Sequence, residues 1–309
     1  MERTTRTVRS RSKYKKGEGT AKRTAVPEKK AGSNFIIQGS ILAIAGIIVR
    51  LIGMLYRIPL ANYIGDEGNG YYSAAYNIYS IMLILSSYSL PVAVSKMVSA
   101  RLARGQYRNA RKILRAALFY ATIVGGVGFC ALWFGSGFFA EHVIKMPYSA
   151  YALKVLAPTV WIMAYLGVLR GFFQGHFTMV PTAVSQIFEQ IVNAIVSVAA
   201  GSFLFNQALK TEVLKNQTGD GYSNAWGAAG GTIGTGAGAF TALIFLLFLF
   251  VACAKMRKRQ IRRDQTEALE SYGDITKVLF FTVVPVILSS AIYNLNSVLD
   301  NGILAYNFK

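Results

Sequence analysis

The chain is short of acid. Fourteen Asp and Glu stand against thirty-three Lys and Arg in 309 residues, and charged side chains of both signs make up only 15% of the total. Soluble domains carry about 25%. With 53% hydrophobic residues and a mean hydropathy of +0.38, that deficit excludes an ordinary water-soluble fold. Cysteine is nearly missing too. Cys130 and Cys253 both sit inside apolar stretches, which excludes a disulfide framework and any thiolate metal site. The only histidines, His142 and His176, fall in separate loops and cannot share a site. No GxxxxGK[ST] phosphate loop occurs, and no Ser/His/Asp or Cys/His set converges. Neither catalysis nor a resident cofactor or metal is expected.

What fills the chain instead is oil. Seven apolar stretches, over 35–63, 72–95, 112–139, 150–173, 180–206, 225–254 and 275–306, can each cover the roughly 30 Å of a bilayer's hydrocarbon, which takes about 20 helical residues. An all-α multi-pass membrane protein is the expected class. A net charge of +19 would suit nucleic acid, but the cations lie between the apolar stretches rather than on one soluble face, so no nucleic-acid partner is expected.

Residues 1–34 hold eleven Lys/Arg and three Glu with almost nothing apolar. They cannot bury enough surface to fold, and they read as a disordered basic cytoplasmic tail able to touch anionic headgroups. They are too long, and followed by too long an apolar run, for a cleaved signal peptide. Charge also sets the orientation, because Lys and Arg collect on the cytoplasmic side. The tail and the loops 96–115, 170–181 and 255–277 together carry 26 Lys/Arg, against 3 in the alternate loops 63–71, 141–149 and 207–224. The N-terminus is expected inside. The sequon at Asn216 then lies outside.

Inside the spans, polar groups are few and patterned. In "SILAIAGIIVRLIGMLYRIPLANYIG", residues Ala43, Gly46, Arg50, Gly53, Arg57 and Ala61 recur at steps of three and four, one stripe of a helix. Each arginine at such depth costs about 2.5–3.5 kcal/mol on insertion scales, and nothing about spanning a bilayer calls for it. The stripe is expected to face the bundle interior, beside a cavity or a counter-ion. Only Glu189 and Asp300 among the acids lie within spans. Glu189 belongs to a polar face with Gln186, Gln190, Asn193 and Ser197, and Asp300 shares a stripe with Ser289, Tyr293 and Asn296. The second span adds Ser73, Asn77, Ser80 and Ser87 at helical spacing. Interhelical hydrogen bonds are the plain reading for the Ser and Asn residues. Arg50, Arg57, Asn77 and Glu189 are the candidate substrate-binding residues and Asp300 the candidate ion site. The glycines of "AWGAAGGTIGTGAGAF", spaced in fours, read as close helix packing.

Several stretches then resemble a known family. "RLIGMLYRIPLANYIGDEGNGYYSAAYNIYSIML" with "LPVAVSKMVS", "GFFQGHFTMVPTAVSQIFEQIVNAI" and "ITKVLFFTVVPVILSSAIYNLNSVLDNGIL" are similar to the polysaccharide-transport branch of the multidrug/oligosaccharidyl-lipid/polysaccharide exporter superfamily, its stage V sporulation protein B-like members above all. The likeness covers about 35–309. It implies a MATE-like helical bundle of two lobes around a central cavity. On that template 35–254 is the six-helix N-lobe, 255–274 a cytoplasmic linker and 275–309 the first helix of a second lobe, the chain being apparently truncated. Members include plasma-membrane flippases for lipid II, so the resemblance implies a partner that is a lipid-linked saccharide diphosphate, alongside membrane lipids and cell-wall synthases. It matches Arg50, and with a one-residue difference in spacing Arg57, to arginines that hold the diphosphate. It matches Asp300 to an acidic position that binds a coupling Na or H cation in some relatives. Two other readings stay open: a drug or cation antiporter on the same scaffold, and a non-transporting partner or fragment in cell-wall synthesis.

Overall fold

In hydrocarbon every backbone N–H and C=O must be satisfied within its own segment, so apolar stretches of this length become helices. The computed structural model describes residues 28–176, 178–214 and 221–307, and side chains over 37–289 within those limits. Residues 1–27 of the basic tail, the Asn216 sequon and the side chains of Tyr293, Asn296 and Asp300 lie outside the described residues, while 28–34, expected in the disordered tail, are the first turns of a helix. All regular structure among the described residues is helical.

The first helix, α1 (Glu28–Leu83), runs for 56 residues. That is about 84 Å of helix, nearly three bilayer cores. It is two crossings. Gly65, at φ 69° and ψ 179°, takes a backbone conformation open in practice only to glycine. Beyond it the chain doubles back, and the hydroxyls of Tyr56 and Tyr72 meet at 3.3 Å. A straight helix would hold those residues about 24 Å apart. The loop expected over 63–71 is therefore one corner residue, with Asp66, Glu67 and Asn69 helical beyond it. Six helical stretches are long and apolar enough to cross a membrane, and the first, Ile37–Leu102, contains this hairpin. Counted with its two arms, the crossings number the expected seven.

The second arm ends in a π-helical turn, Ile84–Tyr88, where the Ser86 hydroxyl donates to the Met82 carbonyl at 2.7 Å. Pro91 then sits in the first turn of α2 (Leu90–Leu102), where its missing N–H is not needed. After α3 (Tyr107–Phe138) and α4 (Ser149–Gly175), α5 (Val180–Leu214) runs eight residues past its expected end at 206. The extension has a use. Buried Glu212 accepts the Ser223 N–H at 2.7 Å, so the end of α5 caps the start of α6 (Tyr222–Ala252). A short basic helix, α7 (Ala254–Arg262), leads toward α8 (Tyr272–Asn307), whose Ile275, Leu279 and Val283 join the apolar core of α2 and α3.

Glycine lets the helices touch. A Cβ on Gly171 of α4 would stand 2.9 Å from Pro91 Cα of α2. On α6, a Cβ at Gly230, Gly234 or Gly238 would enter the space of the Ala200 carbonyl, of Ser197 or of the Glu189 carbonyl on α5. The four-residue spacing read from sequence is thus the α5–α6 seam. Gly234→Leu should destabilise the folded protein by about 3 kcal/mol, since the obstruction is backbone and cannot swing aside. Gly46→Ala, with nothing within 4 Å of the new methyl, should be neutral or slightly stabilising. Thermal midpoints of the two variants in detergent check the contrast.

Candidate functional site

The packing face of α1 is Ala45, Tyr56, Leu60 and Ile64, buried against α5 and α6. Arg50 and Arg57, seven residues apart, fall within about 20° of each other on the helix and about 100° from the centre of that face. Both are exposed. The bundle does not enclose them, which corrects the expectation that its interior would. The physical reason is that the large apolar residues, one step around the helix, take the core instead. Neither arginine joins any ion pair found among the described residues. Within the stripe, between the two arginines, Gly53 brings α5 close: a Cβ there would lie 3.1 Å from Gln190 Nε2. Asn77 is exposed on the second arm, and the Tyr56–Tyr72 pairing sets it at about the depth of Leu51.

Glu189 is not a free carboxylate. Arg170 on α4 donates to its Oε2 at 2.6 Å and, through Nε, to the Ser185 hydroxyl at 3.1 Å. The two side chains are only 10% and 20% exposed, so this is an ion pair inside the bundle. Sequence reasoning missed Arg170 by counting it with the loop 170–181, although the expected span 150–173 contains it. The apolar "GFF" that carries α4 on to Gly175 was the available signal. One helical turn along α5, Asn193 donates to the Tyr56 hydroxyl at 3.4 Å, and the Ser197 hydroxyl lies 2.7 Å from the Gly231 carbonyl. Asn193 and Ser197 are interhelical ties, as their plain reading had it. Asp300 lies on α8, its side chain outside the described residues.

The two ends of the bundle are tied differently. At one end Asn224 donates to Glu67 at 2.8 Å, joining the start of α6 to the hairpin corner. At the other, residues 264–270 form a strap across the turn between α2 and α3. Arg101 grips Glu270 with two hydrogen bonds of 2.9 and 3.1 Å, and Asn109 pairs with both Ala268 and Glu270. Asp264 accepts the Arg108 N–H at 2.9 Å and so caps the first turn of α3 from 156 residues away. Burial by itself raises the Asp264 carboxyl pKa, but the N–H of Arg108 and the hydroxyl and N–H of Thr266, with the Arg108 guanidinium nearby, hold it below the usual value. A lowered folded pKa means stabilisation that is complete above the ordinary carboxylate pKa and lost as pH falls through the lower one. Protease access to the strap should therefore stay constant above about pH 5 and rise only below about pH 4. Asp264→Ala should expose the strap already at neutral pH, at a cost of about 1 kcal/mol; limited proteolysis across pH tests both.

The profile of the family described as polysaccharide biosynthesis protein matches residues 38–307, from the first turns of α1 through α8. The chain belongs to that family. Among polysaccharide biosynthesis relatives, the Lipid II flippase MurJ of Bacillus subtilis (strain 168) is 32% identical over 177 residues, which are 54% of this chain and 32% of that protein. Stage V sporulation protein B of the same organism is 31% identical over 268 residues, 86% of this chain and 48% of that one. The chain thus spans from about a third to about half of the length of these relatives. A solved MOP superfamily transporter from Pyrococcus furiosus superposes with a TM-score of 0.59 at 15% identity, covering 86% of this chain and 55% of that one. An outward-facing multidrug resistance MATE family transporter of the same superfamily gives 0.58 at 16%, with the same coverage. At such identities the likeness is one of fold: this family member has the helical arrangement of MOP transporters.

Proposed function

We propose that this protein serves the export of a polyprenyl-diphosphate-linked saccharide across the plasma membrane by alternating access, with the lipid II-type peptidoglycan precursor as the substrate. In this reading 35–254 is one transporting lobe, 255–274 a cytoplasmic linker and 275–309 the first helix of a second lobe, with the N-terminus cytoplasmic. The observation that carries it is the stripe of Arg50 and Arg57, exposed beside the packing face of α1 and ion-paired with no carboxylate among the described residues. Left against acyl chains, the pair would cost roughly 5–7 kcal/mol. Facing a wet cleft, it becomes a cradle for phosphate oxygens, which guanidinium forks match and hold at any physiological pH. Asn77 and Gln190 flank the stripe and suit the sugar hydroxyls. Glu189 acts by positioning Arg170 and Ser185 rather than by touching substrate. Asp300 holds a Na or H cation that couples transport.

Export needs no ATP on this account. An anion of about two charges leaving a cell at roughly −100 mV gains about 4–5 kcal/mol. Cell-wall synthases that consume the precursor on the outer face are the expected partners. The test is headgroup accessibility in cells depleted of the full-length protein, read with a probe that reacts only outside. Depletion should collapse the externally reactive precursor and re-expression restore it; an unchanged outer pool would overturn the proposal.

A further inference from the structure

A second basic hollow lies at the other side of the bundle, where α3, α4, α6 and α7 meet. It is a cavity of about 330 Å³, and four cations line it: Arg111 and Arg115 from α3, Arg257 and Lys258 from α7. No carboxylate does. Of the acids that follow α7, Asp264 is engaged by Arg108 and Glu270 by Arg101, and exposed Glu267 does not line the cavity. None of the four joins an ion pair found among the described residues. Arg257 is held in place rather than swinging free. It donates to the Phe250 carbonyl, one of the last of α6, and its guanidinium lies 3.5 Å from the centroid of the Phe250 ring. Burial lowers the Arg257 pKa, and the charge of Arg111 lowers it further. The two guanidinium groups, both lining the cavity, repel each other.

The walls say what kind of anion fits. Leu114, Leu118 and Phe250 line this cavity and also the adjoining trough of about 280 Å³, which continues over Leu169, Leu243 and Leu247 and carries no charged side chain. From Arg111 to Leu118 along α3, and from Phe250 to Leu243 along α6, the trough reaches about 10 Å toward the membrane centre. A free phosphate or a nucleic-acid backbone would use the cations and leave the trough empty. An amphiphile with a phosphate head and an acyl chain uses both.

We infer that the hollow between α3, α4, α6 and α7 is a binding site for an anionic glycerophospholipid, its phosphate held by Arg111, Arg115, Arg257 and Lys258 and one acyl chain laid in the Leu114–Leu118–Phe250 trough. It is separate from the stripe on α1 and does not depend on the transport reading. A bound lipid would clamp α7, and with it the segment leading to α8, onto α3.

The full-length protein, delipidated in neutral detergent, is titrated with phosphatidylglycerol, with phosphatidylcholine of the same chains and with soluble glycerol 1-phosphate, following the thermal midpoint. Phosphatidylglycerol should raise the midpoint saturably and the other two should not. Arg111→Gln/Lys258→Gln should weaken phosphatidylglycerol at least tenfold while raising the lipid-free midpoint, because a repelling pair is relieved. Leu247→Trp, which fills the trough and touches no charge, should weaken it as well. Lys96→Gln/Arg104→Gln, removing exposed cations of the same end that do not line the cavity, should change affinity less than twofold. Equal loss in that control pair would mean diffuse surface attraction and would overturn the site. So would competition by glycerol 1-phosphate, which would make it a free-anion site, or binding that never saturates.

Discussion

Arg50→Glu in the full-length protein should abolish export while leaving the fold intact. The side chain is exposed and joins no ion pair among the described residues, so the thermal midpoint should stay within error of wild type. Transport should fall for two additive reasons. A charge-assisted hydrogen bond to phosphate is lost, worth about 1.5–3 kcal/mol. A carboxylate also replaces it, repelling the phosphate by up to about 4 kcal/mol at contact in a medium of effective dielectric near 20. The sum, on the order of 5 kcal/mol, lowers affinity by more than about a thousandfold, enough to empty the site. Arg50→Lys keeps the charge and loses the fork, and should cost about tenfold. Arg57→Glu should follow Arg50→Glu if both guanidinium groups grip one diphosphate. External headgroup labelling in cells relying on each variant is the measurement. Wild-type labelling with Arg50→Glu would remove the phosphate role from the stripe.

That prediction was half visible in the sequence. The stripe itself was legible, because spacing along one helix reports which residues share a face. What that face meets was not. Arg50 and Tyr56 sit on the same helix, and only the packing of α5 and α6 decides that Tyr56 enters the core and Arg50 stays out. The same limit explains Gly65. A glycine among Asp, Glu and Asn reads as a loop, yet a single left-handed corner suffices to reverse the helix. By contrast the Gly230–Gly234–Gly238 ladder was read correctly from sequence, since a row of absent side chains has few uses other than close approach. Tertiary pairing of opposite charges was the hardest element. Arg170 and Glu189 are nineteen residues apart across a turn, and counting Arg170 with the loop 170–181, although the span 150–173 contains it, was enough to hide the pair.

That pair carries the other large expected effect. Glu189→Leu leaves Arg170 with the Ser185 hydroxyl as its sole polar partner in a bundle where it is only 10% exposed. Removing one partner of a buried ion pair destabilises by about 3–5 kcal/mol, and partial exposure here argues for about 3. Arg170→Met should cost a similar amount, by stranding the carboxylate. The double variant Arg170→Met/Glu189→Leu should recover most of the loss, because an apolar pair of similar volume removes both charges and their desolvation together. The thermal midpoints of the four proteins form a double-mutant cycle, and a double variant that costs about 1 kcal/mol against about 3 for each single one makes the coupling about 5 kcal/mol. Export measured on the same four separates scaffold from site. If Glu189 only positions Arg170 and Ser185, the double variant regains export along with stability. If it regains stability and stays inactive, the carboxylate or the guanidinium touches the substrate itself, and the cleft extends from the α1 stripe inward past Gln190 to the α4–α5 pair.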